Sequence, residues 1–257
     1  MLQSSFLLLL YLLPISASQT LIQLLPENST SDELIAGDDP VGPYCDSWRL
    51  SVETNNAGAW KKIPARCHDA IGTYIKGPQY LIDSKVAAHH ANHYAKSIKV
   101  AADKKDAWIF DVDETLISNV QHYTVNGYGS KVLNETAFDQ WVDKAKASAL
   151  PWSLWLYRKL HGMGFQLVLL TGRKETHRNS TEKNLLDAGY HSWSQLILRE
   201  SLDAEKTAVA YKSEKRAELR AKGYRIHGSS GDQWSDLLGT PMAKRSFKVP
   251  NPMYHIP

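Results

Sequence analysis

The amino-acid sequence predicts an α/β fold in which helices flank a parallel sheet. Apolar runs at 107–110 and 165–170 have the length and composition of buried strands, and shorter runs at 196–198 and 224–228 suit further strands. Helical patterns of roughly a dozen residues or more lie between these runs. Strands that alternate with such helices form parallel sheets with right-handed crossovers.

Length and composition describe a globular protein with a small-molecule partner. The chain has 257 residues, of which 43% are hydrophobic and 22% are charged, and this suffices for one domain or two. The 30 basic and 27 acidic residues give a formal net charge of +3 without long runs of one sign. We therefore expect binding neither to nucleic acid nor to an anionic membrane surface. Monomer and homodimer both remain open.

Residues 1–18 are predicted to be a signal peptide. An apolar run at 6–13 is followed by Pro14 and by small residues up to Ser18, after which cleavage is expected. The segment before the run lacks the usual Lys or Arg, but the run is too short to cross a bilayer of about 30 Å as a helix. No later stretch is long and apolar enough to do so. A soluble mature chain in the secretory route is the expectation.

Cysteines and glycosylation sequons agree with this route. The two cysteines, Cys45 and Cys67, are expected to form a disulfide in an oxidising compartment, and two buried free thiols are the alternative. Sequons that could carry glycans begin at Asn28, Asn134 and Asn179.

Two segments precede the predicted sheet. Residues 19–44 mix Asn, Ser, Asp, Pro and Gly without a clear period, which predicts a loose N-terminal arm. Residues 45–105 carry apolar residues at steps of three and four, which predicts helices, with a break at Gly77 and Pro78. Later helices are predicted at about 151–162, 176–188 and 204–222.

Polar clusters follow the predicted strands of the core. The three clusters begin at Asp111, Thr171 and Asp232, and each follows an apolar run or a short strand pattern. In an open α/β sheet, ligands bind beyond the carboxyl ends of the strands. The three clusters are therefore expected to converge in one crevice.

The residues in these clusters suit phosphate chemistry with a metal. Asp111 and Asp113 would share a face of a continuing strand, and such a pair suits a hard cation and a division of labour between nucleophile and acid–base. Asp232 and Asp236 add two carboxylates from a separate segment. Mg²⁺ takes few protein oxygens because it keeps water and substrate phosphate as ligands.

Further residues suit the phosphoryl group itself. Thr171 and the N–H groups of Gly172 and Arg173 are expected at the mouth of a helix, where anions are favoured. Lys212 would supply a fixed positive charge. Unit charges 4 Å apart interact by about 4 kcal/mol at an effective dielectric of about 20, so the lysine and a metal would together relieve the repulsion between carboxylates and phosphate.

Four motifs resemble those of the haloacid dehalogenase superfamily of phosphotransferases. The first is Trp108-Ile-Phe-Asp-Val-Asp-Glu-Thr-Leu116, and Thr171, Lys212 and the Gly231–Asp236 stretch are similar to the second, third and fourth. More narrowly, 47–56, 211–216, 228–236 and 247–254 resemble the plant acid phosphatase and vegetative storage protein family. The likeness covers the chain from about Cys45 to the C-terminus.

The resemblance implies a Rossmann-like core with an inserted cap. The phosphatase domain would span 45–257, with the core at 106–116 and 151–257 and the cap at 117–150. Asp111 would attack phosphorus, and Asp113 would protonate the leaving alcohol and then activate water.

The remaining site residues are also assigned by the resemblance. Thr171, Gly172 and Lys212 would hold the phosphoryl group. Mg²⁺ would bind the Asp111 carboxylate, the Asp113 backbone carbonyl and Asp232, with Asp236 as a supporting residue. The expected reaction is hydrolysis of phosphate monoesters, in the cell wall or the vacuole.

The sequence leaves two alternative functions open. One is a vegetative storage protein with weak or no phosphatase activity, since some storage-type members lack the nucleophilic aspartate. This chain keeps Asp111, which argues against storage alone. The other is a phosphotransferase that passes phosphate to an acceptor alcohol.

Histidines and aromatic residues outside the motifs have two interpretations each. His89 and His93 are spaced for metal binding on a helix, but packing or solvation is preferred because no Glu accompanies them as in zinc proteases. The aromatic residues between the first two motifs suit packing or a substrate pocket; they are Trp141, Trp152, Trp155 and Tyr157.

Overall fold

The computed structural model describes residues 40–256. The predicted signal peptide, Asn28 and all but residues 40–44 of the predicted arm lie outside the described residues. None of the helices in the described part is long and apolar enough to cross a membrane.

Five parallel strands form the central sheet, which confirms the predicted fold class. In chain order the strands of the described chain are β1 Asp106–Phe110, β2 Ile117–Ser118, β3 Ser148–Ala149, β4 Gln166–Lys174, β5 Gln195–Arg199, β6 Arg225–Gly231 and β7 Arg245–Lys248. The sheet order is β5-β4-β1-β6-β7, and β2 pairs with β3 in a separate antiparallel ribbon.

Helices cover both faces of this sheet. The α-helices of the described part are α1 Val41–Glu53, α2 His68–Lys76, α3 Pro78–Lys96, α4 Val120–Val125, α5 Glu135–Asp143, α6 Pro151–Gly162, α7 Arg178–Asp187, α8 Ala208–Ala221 and α9 Trp234–Leu237. The predicted break at Gly77 and Pro78 separates α2 from α3.

Alternate residues of the central strands point to opposite faces of the sheet and contribute to a separate hydrophobic core on each face. Trp108 and Phe110 pack with side chains of α3 and α6 on one face, whereas Ile109 packs with Tyr211 and Leu219 of α8 on the other. All five residues of β1 are buried, as expected for a strand between two helical layers. Gly228 of β6 lets the Trp108 ring approach, because a Cβ there would lie 2.5 Å from it.

Three local predictions need correction. The N-terminal arm was expected to reach residue 44, but α1 begins at Val41 and Tyr44 is buried. Strand β7 was not predicted, since it is a four-residue edge strand with a basic residue at each end and one buried apolar residue. Thr171 to Arg173 lie in the last part of β4, not at the mouth of a helix, because β4 continues to pair with β5 as far as Lys174.

A disulfide joins Cys45 of α1 to Cys67, which confirms the predicted pairing. The two cysteines are buried in a cluster with Trp48, Trp60 and Ile71. This cluster holds α1 and α2 together, with Met253 from the C-terminal segment packed into it.

Removal of the disulfide is expected to lower the free energy of unfolding by about 3 kcal/mol, because the bond limits the unfolded chain over a loop of 22 residues. Urea unfolding of Cys45→Ala/Cys67→Ala against the wild type measures this loss. The wild type in reducing agent should match the double variant. Equal midpoints for the oxidised wild type and the variant would contradict the expectation.

Residues between β1 and α6 form an insertion at the carboxyl end of the sheet. The ribbon of β2 and β3 forms its base, and α4 and α5 lie between these strands. The Leu150 N–H donates to the Leu116 carbonyl, which ties the two ends of the insertion together. Trp141 of α5 donates from Nε1 to Asn119 Oδ1 at 2.8 Å, so α5 is fixed to the residues that follow β1.

Candidate active site

The sequence-predicted clusters meet at the carboxyl edge of the sheet, where β1 and β6 lie side by side. From β1 the chain crosses to β4 on one side, and from β6 it continues to β7 on the other. Such a reversal leaves a crevice above the strand ends, which is where open α/β sheets bind ligands. Asp111 follows β1, and Asp232 follows β6.

Lys212 connects two of the buried aspartates. Its Nζ donates to Asp111 Oδ1 at 2.7 Å and also contacts Asp236 Oδ1. All three side chains are at most 8% exposed. Burial would lower the pKa of Lys212, but the two carboxylates outweigh it and raise this pKa, so the lysine is a fixed positive charge. Gly231 is required beside Asp236, because a Cβ at Gly231 would overlap its carboxylate.

Asp232 is held by three side-chain donors. Thr115 Oγ1 donates to Oδ1 at 3.2 Å, while Gln233 Nε2 and Asn251 Nδ2 each donate to Oδ2 at 2.7 Å. Burial, together with the charge of Asp236, raises the pKa of Asp232 to about 6. The carboxylate is thus fixed in orientation by neutral donors.

Asp113 is bound by a guanidinium. Arg173 donates from Nε and Nη2 to the Asp113 carboxylate at 2.7–3.1 Å, and Asn119 Nδ2 donates to it at 2.7 Å. Burial would raise the pKa of Asp113, but the charge and hydrogen bonds of Arg173 outweigh it and lower this pKa. The sequence predicted only a backbone role for Arg173, whereas the structure pairs its side chain with Asp113.

Thr171 and Gly172 lie beside this pair at the end of β4. The Thr171 side chain is fully buried, and its Oγ1 accepts the Arg173 N–H at 3.1 Å. That N–H is therefore engaged within the protein. Gly172 is exposed, and a Cβ there would meet open space, so the backbone of β4 is accessible at this residue.

Glu114 is a further buried acid that the sequence analysis did not single out. It has a positive φ of 50°, which is uncommon for a residue with a side chain. Its carboxyl group accepts hydrogen bonds from the N–H and Nδ2 of Asn119 and from the Tyr254 hydroxyl. Burial and the charges of Asp113 and Asp232 raise the pKa of Glu114 to about 8. The group fixes the turn after Asp113.

The C-terminal segment closes one side of the site. Besides Asn251 and Tyr254, its backbone contacts Gln233, which donates to the Tyr254 carbonyl and accepts from the Ile256 N–H. Glu53, the last residue of α1, accepts from Lys248 Nζ and from the Asn251 N–H. The disulfide-linked N-terminal helix therefore supports the segment that orients Asp232.

The acidic residues suit a divalent cation. Carboxylate oxygens of Asp111, Asp232 and Asp236 lie within 4.8 Å of one another. Burial raises the pKa of Asp111 well above its ordinary value, although Lys212 opposes this. A divalent cation would relieve this negative charge, because carboxylate oxygens are ligands that hard cations accept. The cluster contains Asp111 and Asp232 of the predicted ligand set and also Asp236, for which only a supporting role was predicted.

A cavity of about 450 Å³ opens from these residues. Its lining includes Asp111 and Asp113 together with the aromatic residues Tyr123, Phe138 and Tyr254. Small-molecule sites have volumes of about 300–1,000 Å³ and mostly apolar walls with a few polar groups. The cavity has room for a leaving group attached to the phosphate.

The tryptophans that sequence analysis offered for a pocket pack elsewhere. Trp152 and Trp155 pack against the main core, and His89 stacks on Trp155 with ring centroids 4.8 Å apart. Trp141 anchors α5. The packing interpretation of these residues is therefore the better one, and the aromatic walls come from other residues.

Two of the predicted glycosylation sites can be located. Asn134 is exposed at the N-terminus of α5, where its side chain accepts the Ala137 N–H at 3.0 Å. Asn179 is exposed in the first turn of α7. Glycosylation at either residue stays a prediction.

The sheet order and the carboxylates at its edge are those of an α/β phosphatase of haloacid dehalogenase type. A family model described as "HAD superfamily, subfamily IIIB (Acid phosphatase)" matches residues 32–257. The chain belongs to this family.

Relatives among known proteins include both enzymes and storage proteins. Acid phosphatase 1 of Solanum lycopersicum is 48% identical over 90% of this chain and 87% of its own. Stem 28 kDa glycoprotein of Glycine max is 44% identical over 82% and 84%, and vegetative storage protein 2 of Arabidopsis thaliana is 39% identical over 83% and 80%. These relatives confirm the family resemblance that the motifs indicated.

Solved structures support the fold. The Class C acid phosphatase from Bacillus anthracis, solved with tungstate bound, has a TM-score of 0.58 at 22% identity. The match covers 73% of this chain and 85% of that one.

Proposed function

We propose that the protein hydrolyses phosphate monoesters through a covalent phosphate on Asp111, with Mg²⁺ as cofactor. The contact of Lys212 with Asp111 at the carboxyl edge of the sheet carries this proposal. It places a buried carboxylate oxygen next to a fixed cation, and both residues line a cavity with room for a leaving group. The named activity of the tomato relative supports the same reaction.

In the first step an oxygen of the Asp111 carboxylate attacks phosphorus. The P–O bond to the leaving group breaks, and Asp113 in its protonated form donates a proton to the departing alkoxide. Because the effect of burial is outweighed by the neighbouring guanidinium, which lowers the pKa of Asp113, this form is favoured towards the acid end of the pH range. Lys212 and the Thr171 hydroxyl hold the phosphoryl oxygens, with Gly172 leaving space beside them. Catalysis of this kind depends mainly on positioning and on neutralising charge.

In the second step Asp113 takes a proton from water, and the water oxygen attacks the same phosphorus. The bond between phosphorus and Asp111 breaks, which releases inorganic phosphate and restores both aspartates. Arg173 and Asn119 orient the Asp113 carboxylate for both proton transfers.

Mg²⁺ would be held by the Asp111 and Asp232 carboxylates and by the Asp113 backbone carbonyl. When bound, it supplies charge neutralisation for the transferring phosphoryl group. Asp236 supports the site through Lys212 and by accepting the Gln233 N–H at 2.9 Å. We further propose that residues 117–150 act as the cap, since α5 lines the cavity.

The proposed location is the secretory route, in the cell wall or the vacuole. The disulfide supports an oxidising compartment, and the relatives named as stem glycoproteins and vegetative storage proteins support accumulation there. Accumulation as a reserve protein remains a second function that is compatible with activity.

Steady-state hydrolysis of p-nitrophenyl phosphate between about pH 4 and 8 tests the proposal. We expect activity that is lost on chelation and restored by Mg²⁺. Addition of an acceptor alcohol separates hydrolysis from phosphate transfer, since transfer would produce a new phosphate ester. A folded protein with no activity in Mg²⁺ would overturn the proposal and favour storage.

A further inference from the structure

We propose that Arg199 forms a subsite for a second anionic group on the substrate. The preferred substrates would then be phosphate monoesters that carry another phosphate or a carboxylate. This inference rests on the proposed function, because it concerns the leaving-group side of the same cavity.

Arg199 lies at the end of β5 and lines the cavity that contains Asp111. Its guanidinium lies over the Tyr211 ring, 4.8 Å from the centroid. Tyr211 precedes Lys212 on α8, and Lys212 contacts Asp111. The guanidinium therefore lines the same cavity as Asp111 and Lys212 without a hydrogen bond or ion pair to either residue.

The other cations that line the cavity already have acidic partners. Arg173 pairs with Asp113, and Lys212 pairs with Asp111 and Asp236. Lys174 Nζ lies 2.8 Å from Asp139, and Lys206 contacts Asp203 and Glu214. Each of these charges is at least partly compensated before a substrate enters.

Arg199 forms no ion pair with any residue of the described chain. One Nη donates to the Lys206 carbonyl at 3.0 Å, which fixes the side chain at the start of α8. The Nε is buried and has no hydrogen-bond partner among the described residues. Because Nε is buried, the donors that can meet a substrate are those of Nη2, which has no hydrogen-bond partner among the described residues. A terminal donor of this kind, held in place on an aromatic ring, is suited to bind a phosphate or a carboxylate.

Among the described residues that line the cavity, no acidic side chain pairs with Arg199. The acidic residues that line the cavity beyond the catalytic cluster are Glu135 and Asp139 of α5, and Asp139 is engaged by Lys174. The N-terminal end of α8, which carries partial positive charge, also lines the cavity at Thr207 and Ala208. A negatively charged group is therefore favoured next to Arg199.

Diol phosphates of graded length provide the test. Monophosphates of linear diols of about three to six carbons, a size that such cavities admit, are compared with the matching bisphosphates and ω-carboxyalkyl phosphates. Within a series the leaving groups are similar alkoxides. A difference in kcat/KM between two substrates therefore reports how the enzyme binds the end of the substrate that is remote from the reacting phosphate. For the best chain length we expect kcat/KM about tenfold higher with the second anion, after correction for the two equivalent phosphates of a bisphosphate.

Substitutions of Arg199 test whether this residue causes the preference for doubly anionic substrates. The ratio of kcat/KM between doubly and singly anionic substrates should approach unity in Arg199→Met, fall below unity in Arg199→Glu and be largely retained in Arg199→Lys. Arg220→Met, at an exposed position in the last turn of α8, is the matched control and should keep the wild-type ratio.

The outcomes distinguish this inference from the proposed function. Equal kcat/KM for both substrate types in the wild type would overturn the Arg199 subsite but leave the phosphatase proposal intact. A preference that persists in Arg199→Met would place the anion subsite elsewhere and would also overturn the inference. Absence of hydrolysis with every substrate would overturn the proposed function itself. A preference for bisphosphates alone identifies phosphate as the second group.

Discussion

Replacement of Asp111 by asparagine is expected to lower kcat for p-nitrophenyl phosphate by at least about a thousandfold, because the variant lacks the nucleophile. Asparagine has nearly the same shape and can still accept the hydrogen bond from Lys212. The loss should therefore appear in kcat with little change in fold. Measured kcat, together with the melting temperature of each protein, separates chemistry from stability.

Asp46→Asn serves as the matched control for this variant, since Asp46 is exposed on α1 and does not line the cavity. It should keep wild-type kcat. Acid quenching during turnover, followed by peptide mass spectrometry, should detect a phosphoryl group on the peptide containing Asp111 in the wild type only. Wild-type kcat in Asp111→Asn would show that the reaction does not pass through this residue.

The sequence was sufficient to predict the core because the signal of its main strands is strong. A strand buried on both faces, such as β1, reads as a continuous apolar run, and the polar residues that follow it mark the carboxyl edge. The convergence of Asp111, Thr171 and Asp232 follows from that topology, whereas Lys212, which lies on α8, was assigned by the family resemblance. Edge strand β7 escaped prediction because it is short and only partly buried.

Contacts between side chains from distant segments could not be read from the sequence. The pairing of Arg173 with Asp113 spans 60 residues, and that of Asn251 with Asp232 joins the C-terminal segment to the site. Neither residue belongs to a periodic pattern, and each is placed only by the tertiary fold. Glu114 is a similar case, since an acid beside two aspartates is expected in solvent, not fully buried with a positive φ.

The arrangement around Asp113 leads to a second large expected effect, which depends on the leaving group. With an alkyl phosphate, Asp113→Asn should slow formation of the phosphoenzyme by about a hundredfold or more, because an alkoxide needs the proton that Asp113 donates. With p-nitrophenyl phosphate the first step should be nearly unaffected, since p-nitrophenolate leaves without a proton. The second step needs a base in both cases and should be slow.

Rapid mixing of Asp113→Asn with p-nitrophenyl phosphate should therefore give a burst of p-nitrophenolate equal to the enzyme concentration, followed by slow turnover. Asparagine can still accept a hydrogen bond from Arg173, so melting temperatures close to wild type are expected, and Asp46→Asn again controls for the loss of a carboxylate. An equal fall in rate for both substrates, without a burst or an accumulated phosphoenzyme, would assign Asp113 to positioning instead of proton transfer. A burst with the aryl ester and none with the alkyl ester would assign both proton transfers to the carboxylate that Arg173 holds.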